Sequence, residues 1–224
     1  MRRMREIVFD TETTGIMPGD GHRVVEIGAL EMIGRVCTGR TFHTYIDPCR
    51  PMPKDAQGVH GLSSAFLTGQ PIFEAVVDEF LAFIQDSPLV AHNAVFDFGF
   101  INYELMRAKM PVIANHRAVC TLELSRKKHP GAKHTLDALC NRYGIDLSGR
   151  ARHGALIDAE LLARVFVELT GGRQIGFELV SEVVEVELVV DRVNFGIRDH
   201  VALPEELERH AVFIASLKDP LWLQ

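Results

Sequence analysis

Residues 6–15 read Glu6-Ile-Val-Phe-Asp-Thr-Glu-Thr-Thr-Gly15. Glu6–Thr11 is a short apolar, β-branched run bounded by polar turn residues, so it reads as a strand with acids at its C-terminal end. Side chains alternate along a strand, which places Asp10 and Glu12 on one face. Two neighbouring carboxylates repel, and that cost is relieved by a raised pKa or by a bound cation. On its own, Asp-x-Glu reads first as a solvated strand end.

Working outward, Val24–Ile33 and Phe42–Ile46 carry the same strand signals. Phe73–Gln85 follows Pro71 and sets Phe73, Val76, Val77, Phe80, Leu81 and Ile84 on one helical stripe. Leu89–Ala91 is a short buried-strand run, Phe98–Ala108 reads as a helix, and Val119–Thr121 as another short strand. Thr135 is an N-cap for Leu136–Tyr143, with Gly144 the C-terminal stop. Ala155–Thr170 is the most strongly patterned helix and ends at Gly171-Gly172. Strands first, then alternating helices and strands, predict an α/β fold with a mixed sheet flanked by helices.

The 224 residues are 47% hydrophobic and 24% charged, enough apolar side chain for a sizeable core and too much for a disordered chain. The net charge of −6 argues against a large positive field of the kind that grips nucleic acid unaided. Residues 173–224 hold five basic and ten acidic side chains, so the acidity concentrates in the tail. No apolar h-region follows the basic start and no 18-residue apolar run occurs, so the expectation is a cytoplasmic protein without a signal peptide or membrane contact. Cys37, Cys49, Cys120 and Cys140 lack metal-site spacing and read as reduced, partly buried thiols.

Two further stretches pair an acid with an apolar element. His92-Asn-Ala-Val-Phe-Asp97 follows the Leu89–Ala91 strand, where Asp97 reads alone as a helix cap. His153-Gly-Ala-Leu-Ile-Asp158 opens the longest helix, with Asp158 at the edge of its buried stripe. Jointly, Asp10, Glu12, Asp97 and Asp158 are hard oxygen donors that suit Mg²⁺ or Mn²⁺. Four carboxylates suffice for two such ions, the arrangement that serves phosphoryl transfer. An imidazole titrating near neutrality is suited to accept the proton of the attacking water. Together they point to metal-dependent phosphodiester hydrolysis.

Asp10–Gly15, His92–Asp97 and His153-x4-Asp158 resemble, in order, the three motifs of the DEDDh 3′–5′ exonucleases. Among these the chain is most similar to the proofreading epsilon subunits of bacterial DNA polymerase III. Val25–Ala29, Gly58–Gly61, Thr135–Cys140 and Leu169–Gly172 share in the likeness, which spans residues 1–172. The resemblance implies a ribonuclease H-like sheet and two divalent cations. It implies that Asp10 bridges both ions, that Glu12 and Asp158 complete the tighter site, and that Asp97 holds the second. His153 takes the place of the general base. Asp10, Glu12, Asp158, Asp55, His60 and Phe96 match positions near the bound 3′-terminal nucleotide, although the 53–62 stretch reads equally as a polar loop. The implied substrate is a single-stranded or frayed DNA 3′ end. A free-standing enzyme trimming RNA ends and an inactive binding module are the competing readings. Arg126–His129, Arg150 and Arg152 read first as solvated surface.

Residues 173–200 read as a linker, in which Gln174, Phe177 and Leu179 resemble a sliding-clamp peptide. Glu178–Val190 alternates Val and Glu, as a strand or an extended linker would. Residues 201–224 resemble the segment that binds the polymerase catalytic (alpha) subunit, with a helix over Pro204–Leu217 and Leu207, Phe213, Leu217 and Trp222 as anchors. A small accessory subunit is left open.

Overall fold

The computed structural model describes residues 4–149, 153–171 and 202–216. The chain divides into two compact units, Met1–Phe177 and Glu178–Gln224. In the first, five strands form one sheet in the order β3-β2-β1-β4-β5: β1 Arg5–Thr13, β2 Val24–Ile33, β3 Val36–Tyr45, β4 Leu89–Ala91 and β5 Ala118–Cys120. β1 runs antiparallel to β2 and parallel to β4, β2 is antiparallel to β3, and β4 is parallel to β5. The expected mixed sheet with helices on its faces is therefore present.

β1 is central and buried on both sides, which its unbroken Ile7-Val8-Phe9 run permits. Ile7 and Phe9 face the helices α3, Phe73–Ile84, and α4, Ala94–Arg107. Val8 faces α7, Ala155–Leu169, where it packs with Leu30, Val90, Leu162 and Phe166. The alternation carries on to the strand's end. Asp10 and Glu12 continue the α7 face, and Thr11 continues the α4 face.

Several elements differ from the sequence reading. β3 starts six residues before Phe42, because Gly34 and Arg35 both take positive φ (58° and 68°) and close a tight hairpin with β2. Its first half, polar and exposed, is an edge strand with no apolar alternation to reveal it. The expected loop after Pro53 is instead the helix α1, Lys54–His60, followed by the single turn α2, Ser64–Leu67. α4 begins four residues before Phe98, with Asn93 as N-cap in the left-handed region (φ 65°), a conformation asparagine tolerates. Asp97 is therefore a residue of the first turn and not the cap. β5 ends at Cys120, and Thr121 instead opens the helix α5, Thr121–Lys128.

The helix α6, Leu136–Tyr143, is capped as expected: the Thr135 hydroxyl accepts the Ala138 N–H at 3.3 Å, and Gly144 turns left-handed (φ 65°). Lys128 Nζ donates to the Glu168 carbonyl at 2.6 Å and the Leu169 carbonyl at 3.1 Å, capping the C-terminus of α7. This cation of the basic run is thus structural. Cys37 and Cys49 are exposed where partial burial was expected, and Cys140 is buried. In the second unit, α8 spans Pro204–Ser216, with Leu207, Val212 and Phe213 exposed. Gln174, Phe177, Leu179, Leu217, Trp222, Arg150, Arg152 and the Glu178–Val190 stretch lie outside the described residues. No helix among the described residues is long and apolar enough to cross a membrane.

Candidate active site

The ends of β1 and β4 and the starts of α4 and α7 meet at one place. β1 delivers Asp10 and Glu12, α4 delivers Asp97, and α7 delivers Asp158. Glu12, Asp97 and Asp158 are buried, at 8%, 2% and 3% exposure. Asp158 is thus inside the structure and not at the edge of its helical stripe. Ligand atoms of Glu12, His153 and Asp158 all lie within 4.8 Å of one another.

One contact makes this convergence possible. Gly28 pairs with Asp10 across β1 and β2, and the backbone of Ala155 and Leu156 sits against its Cα. A Cβ at that position would fall inside the first turn of α7. The missing side chain lets α7 approach the sheet closely enough for Asp158 to stand beside the β1 acids.

The acids crowd one another. Burial pushes the Asp10 carboxyl well above its ordinary range, and the charges of Asp97, Glu12, Asp158 and Glu26 push it further. Burial also raises Asp97, to about 7, against the lowering effect of its hydrogen bonds from Thr11. Thr11 donates to Asp97 Oδ1 twice, from its hydroxyl at 2.7 Å and its backbone N–H at 3.1 Å. Such a set of buried hard donors is stabilised by divalent charge, and these residues fit a cation site. His153 Nδ1 lies 3.2 Å from Asp158 Oδ2, and the imidazole is half exposed. A proton on Nδ1 donated to Asp158 leaves Nε2 as the basic nitrogen.

A cavity of about 450 Å³ adjoins the acids, lined by Glu12, Thr13, Thr14, Asp55, His60 and Phe96 among others. The structure thus gathers Asp55, His60 and Phe96 beside Glu12, with Asp55 exposed, Phe96 half-buried and His60 buried. The Leu62 N–H donates to His60 Nδ1 at 3.0 Å, and burial lowers the ring's pKa, so neutral His60 carries its proton on Nε2. A larger cavity of about 730 Å³, bordered by Met32, Arg35, Val36, Arg164 and Glu168, holds none of the acids. His92 does not join the acids either: its Nδ1 lies 2.9 Å from the Thr121 hydroxyl.

Thr11 and Gly28, which lie inside the motifs Asp10–Gly15 and Val25–Ala29 but were given no role from sequence, touch Asp97 and the first turn of α7 respectively. A glycine inside a strand signals close backbone approach, so Gly28 carried a usable cue. Thr11 carried none, since its partner lies 86 positions away.

The exonuclease family model matches residues 7–166. DNA polymerase III subunit epsilon of Rickettsia felis is 48% identical over 97% of this chain and 98% of its own length. The subunit of the same name from Pasteurella multocida is 43% identical over 92% of this chain and 82% of its own. The chain belongs to the epsilon family of exonucleases. As a family member it is a 3′–5′ exonuclease of divalent-metal-dependent type. Solved structures agree on the fold. A 3′ exonuclease nuclease domain described as a DEDDh family member bound to rAMP superposes with a TM-score of 0.65 at 16% identity, covering 75% of this chain and 92% of that one. Exonuclease X in complex with 5′ overhanging duplex DNA gives 0.57 at 24% identity, covering 75% and 90%.

Proposed function

We propose that this epsilon-family exonuclease removes mispaired 3′-terminal nucleotides for a bacterial replicative polymerase, at a site built from Asp10, Glu12, Asp97, Asp158 and His153. The observation that carries the reading is the meeting of buried acids from β1, α4 and α7 with one half-exposed histidine. The four carboxylates would hold two Mg²⁺ or Mn²⁺ ions. Bound there, the cations supply an acidified water and neutralise the charge that builds on the phosphodiester. Hard cations prefer oxygen, which leaves His153 for proton transfer in spite of its nearness to Glu12 and Asp158. Asp158 orients the imidazole through Nδ1, and Nε2 takes the proton of the attacking water. The neighbouring cavity takes the terminal nucleotide, with Phe96 against its sugar or base and His60 in the cavity wall.

A pocket of this size requires the 3′ end to leave the duplex. Unpairing costs a few kcal/mol for a matched terminus and less for a mismatch, so the DNA itself supplies the selectivity. The polymerase holds the DNA, a role consistent with a chain of net charge −6 that lacks a large positive field. Residues 1–172 form the exonuclease region. In the tail, Leu207, Phe213, Leu217 and Trp222 bind the catalytic subunit, and Gln174, Phe177 and Leu179 touch the sliding clamp. The cytoplasm of a bacterium is the corresponding location.

The test compares release of the 3′ nucleotide from mispaired DNA, paired DNA and RNA, with Mn²⁺ or with chelator. Mispaired DNA should be cut fastest and chelated protein should cut nothing. Asp10→Ala/Glu12→Ala should be folded and inactive. Activity in chelator or in that variant overturns the metal mechanism, and preference for RNA overturns the proofreading role.

A further inference from the structure

Asp97 reaches the other acids from the opposite side of the sheet. Asp10 and Glu12 continue the α7 face of β1, but Asp97 rides on α4, which packs on the face shared by Ile7 and Phe9. Thr11 is the β1 residue that points to that face. Its hydroxyl and its N–H converge on a single oxygen, Asp97 Oδ1, at 2.7 and 3.1 Å, and both residues are buried. Two donors on one carboxylate oxygen restrict rotation about χ2 and favour the ionised form.

We propose that Thr11 is a positioning residue: by occupying Asp97 Oδ1 it fixes the carboxylate across the end of the sheet and commits Oδ2 to a divalent cation. The inference rests on the reading of Asp97 as a ligand. Partners of this kind hold a ligand in its binding orientation, and losing one costs about 10–100-fold in metal affinity. Thr11→Val keeps the shape and the backbone N–H and removes only the hydroxyl. Thr11→Ser restores it.

The experiment measures, on the full chain, the Mn²⁺ concentration for half-maximal hydrolysis and, separately, the rise in melting temperature that Mn²⁺ produces without substrate. Thr11→Val should raise the half-saturating Mn²⁺ concentration by about tenfold and shrink the thermal rise. Thr11→Ser should return both close to wild type. In an Asp97→Asn background Thr11→Val should add no further loss, since its effect passes through Asp97. An unchanged Mn²⁺ response in Thr11→Val, failure of serine to rescue, or an equal loss in the Asp97→Asn background overturns the proposal. A normal Mn²⁺ response in Asp97→Asn alone refutes Asp97 as a ligand, and the role of Thr11 falls with it. If the valine variant does not fold, Thr11→Ala takes its place against the same serine control.

Discussion

Asp97 shows how burial and function oppose each other within one residue. Its carboxyl titrates near 7 in the folded, metal-free protein and near 4 in the unfolded chain. Between those values the native state holds a proton that the unfolded state has released, so folding stability falls as pH rises through the window. In chelator, the urea stability of wild type relative to Asp97→Asn should therefore decline from about pH 5 to about pH 7.5. Mn²⁺ favours the ionised form and should stabilise wild type more at the upper end. A pH-independent difference between the two proteins would refute the shift. The proposed function gives His153 the proton transfer, since its Nδ1 engages Asp158 and leaves Nε2 to act as base. His153→Ala should lower kcat by about 10²–10⁴-fold with the Mn²⁺ half-saturation little changed. If that concentration instead rises in step, the histidine is a ligand.

At the scale of elements, two contacts set the helices that carry the acids. α7 rests on Gly28, whose missing Cβ leaves room for Ala155 and Leu156. Gly28→Ala must push the helix outward, at about 1–3 kcal/mol, and carries Asp158 away from Asp10. A displacement near 1 Å is worth about 10²-fold in rate, so the variant should fold, melt lower and lose most activity. Near-normal kcat would show that the approach is unnecessary. α4 is tied to the sheet by a buried ion pair: Arg23 Nε and Nη2 meet Glu104 Oε1 and Oε2 at 2.6 and 2.8 Å, and the Val24 N–H adds a third bond at 3.2 Å. Glu104→Leu strands the Arg23 charge inside and should cost about 3–5 kcal/mol. Adding Arg23→Met should recover much of that loss, measured by urea unfolding. If the double variant is no better, the penalty comes from packing and not from charge.

For the whole molecule, the proposed function assigns catalysis to residues 1–172 and recruitment to the tail. The described nuclease elements pack on one sheet with its own core, and in the separate unit Leu207, Val212 and Phe213 of α8 are exposed. Deleting residues 201–224 should leave hydrolysis of single-stranded DNA unchanged and end co-purification with the polymerase catalytic subunit. Retained binding would place the contact elsewhere. Equal loss of hydrolysis would show that the tail belongs to the nuclease.

The sequence by itself determined the strand Val24–Ile33, the stripe of α3, the capping of α6 and the identity of all four acids. Periodicity, cap chemistry and motif spacing are local properties, readable without knowing what packs where. The first half of the edge strand β3 and α1 were not legible, because polar, exposed segments carry little periodic signal. The position of Asp97 in its helix was also misread, since the left-handed Asn93 starts α4 a turn early. Only the tertiary structure decided which oxygen of Asp97 is engaged, that Asp158 is buried, and that Gly28 admits α7. Each is a contact between residues far apart in the chain. The four carboxylates become one site because the close packing of the helices on β1 and β2 holds them together against their mutual repulsion.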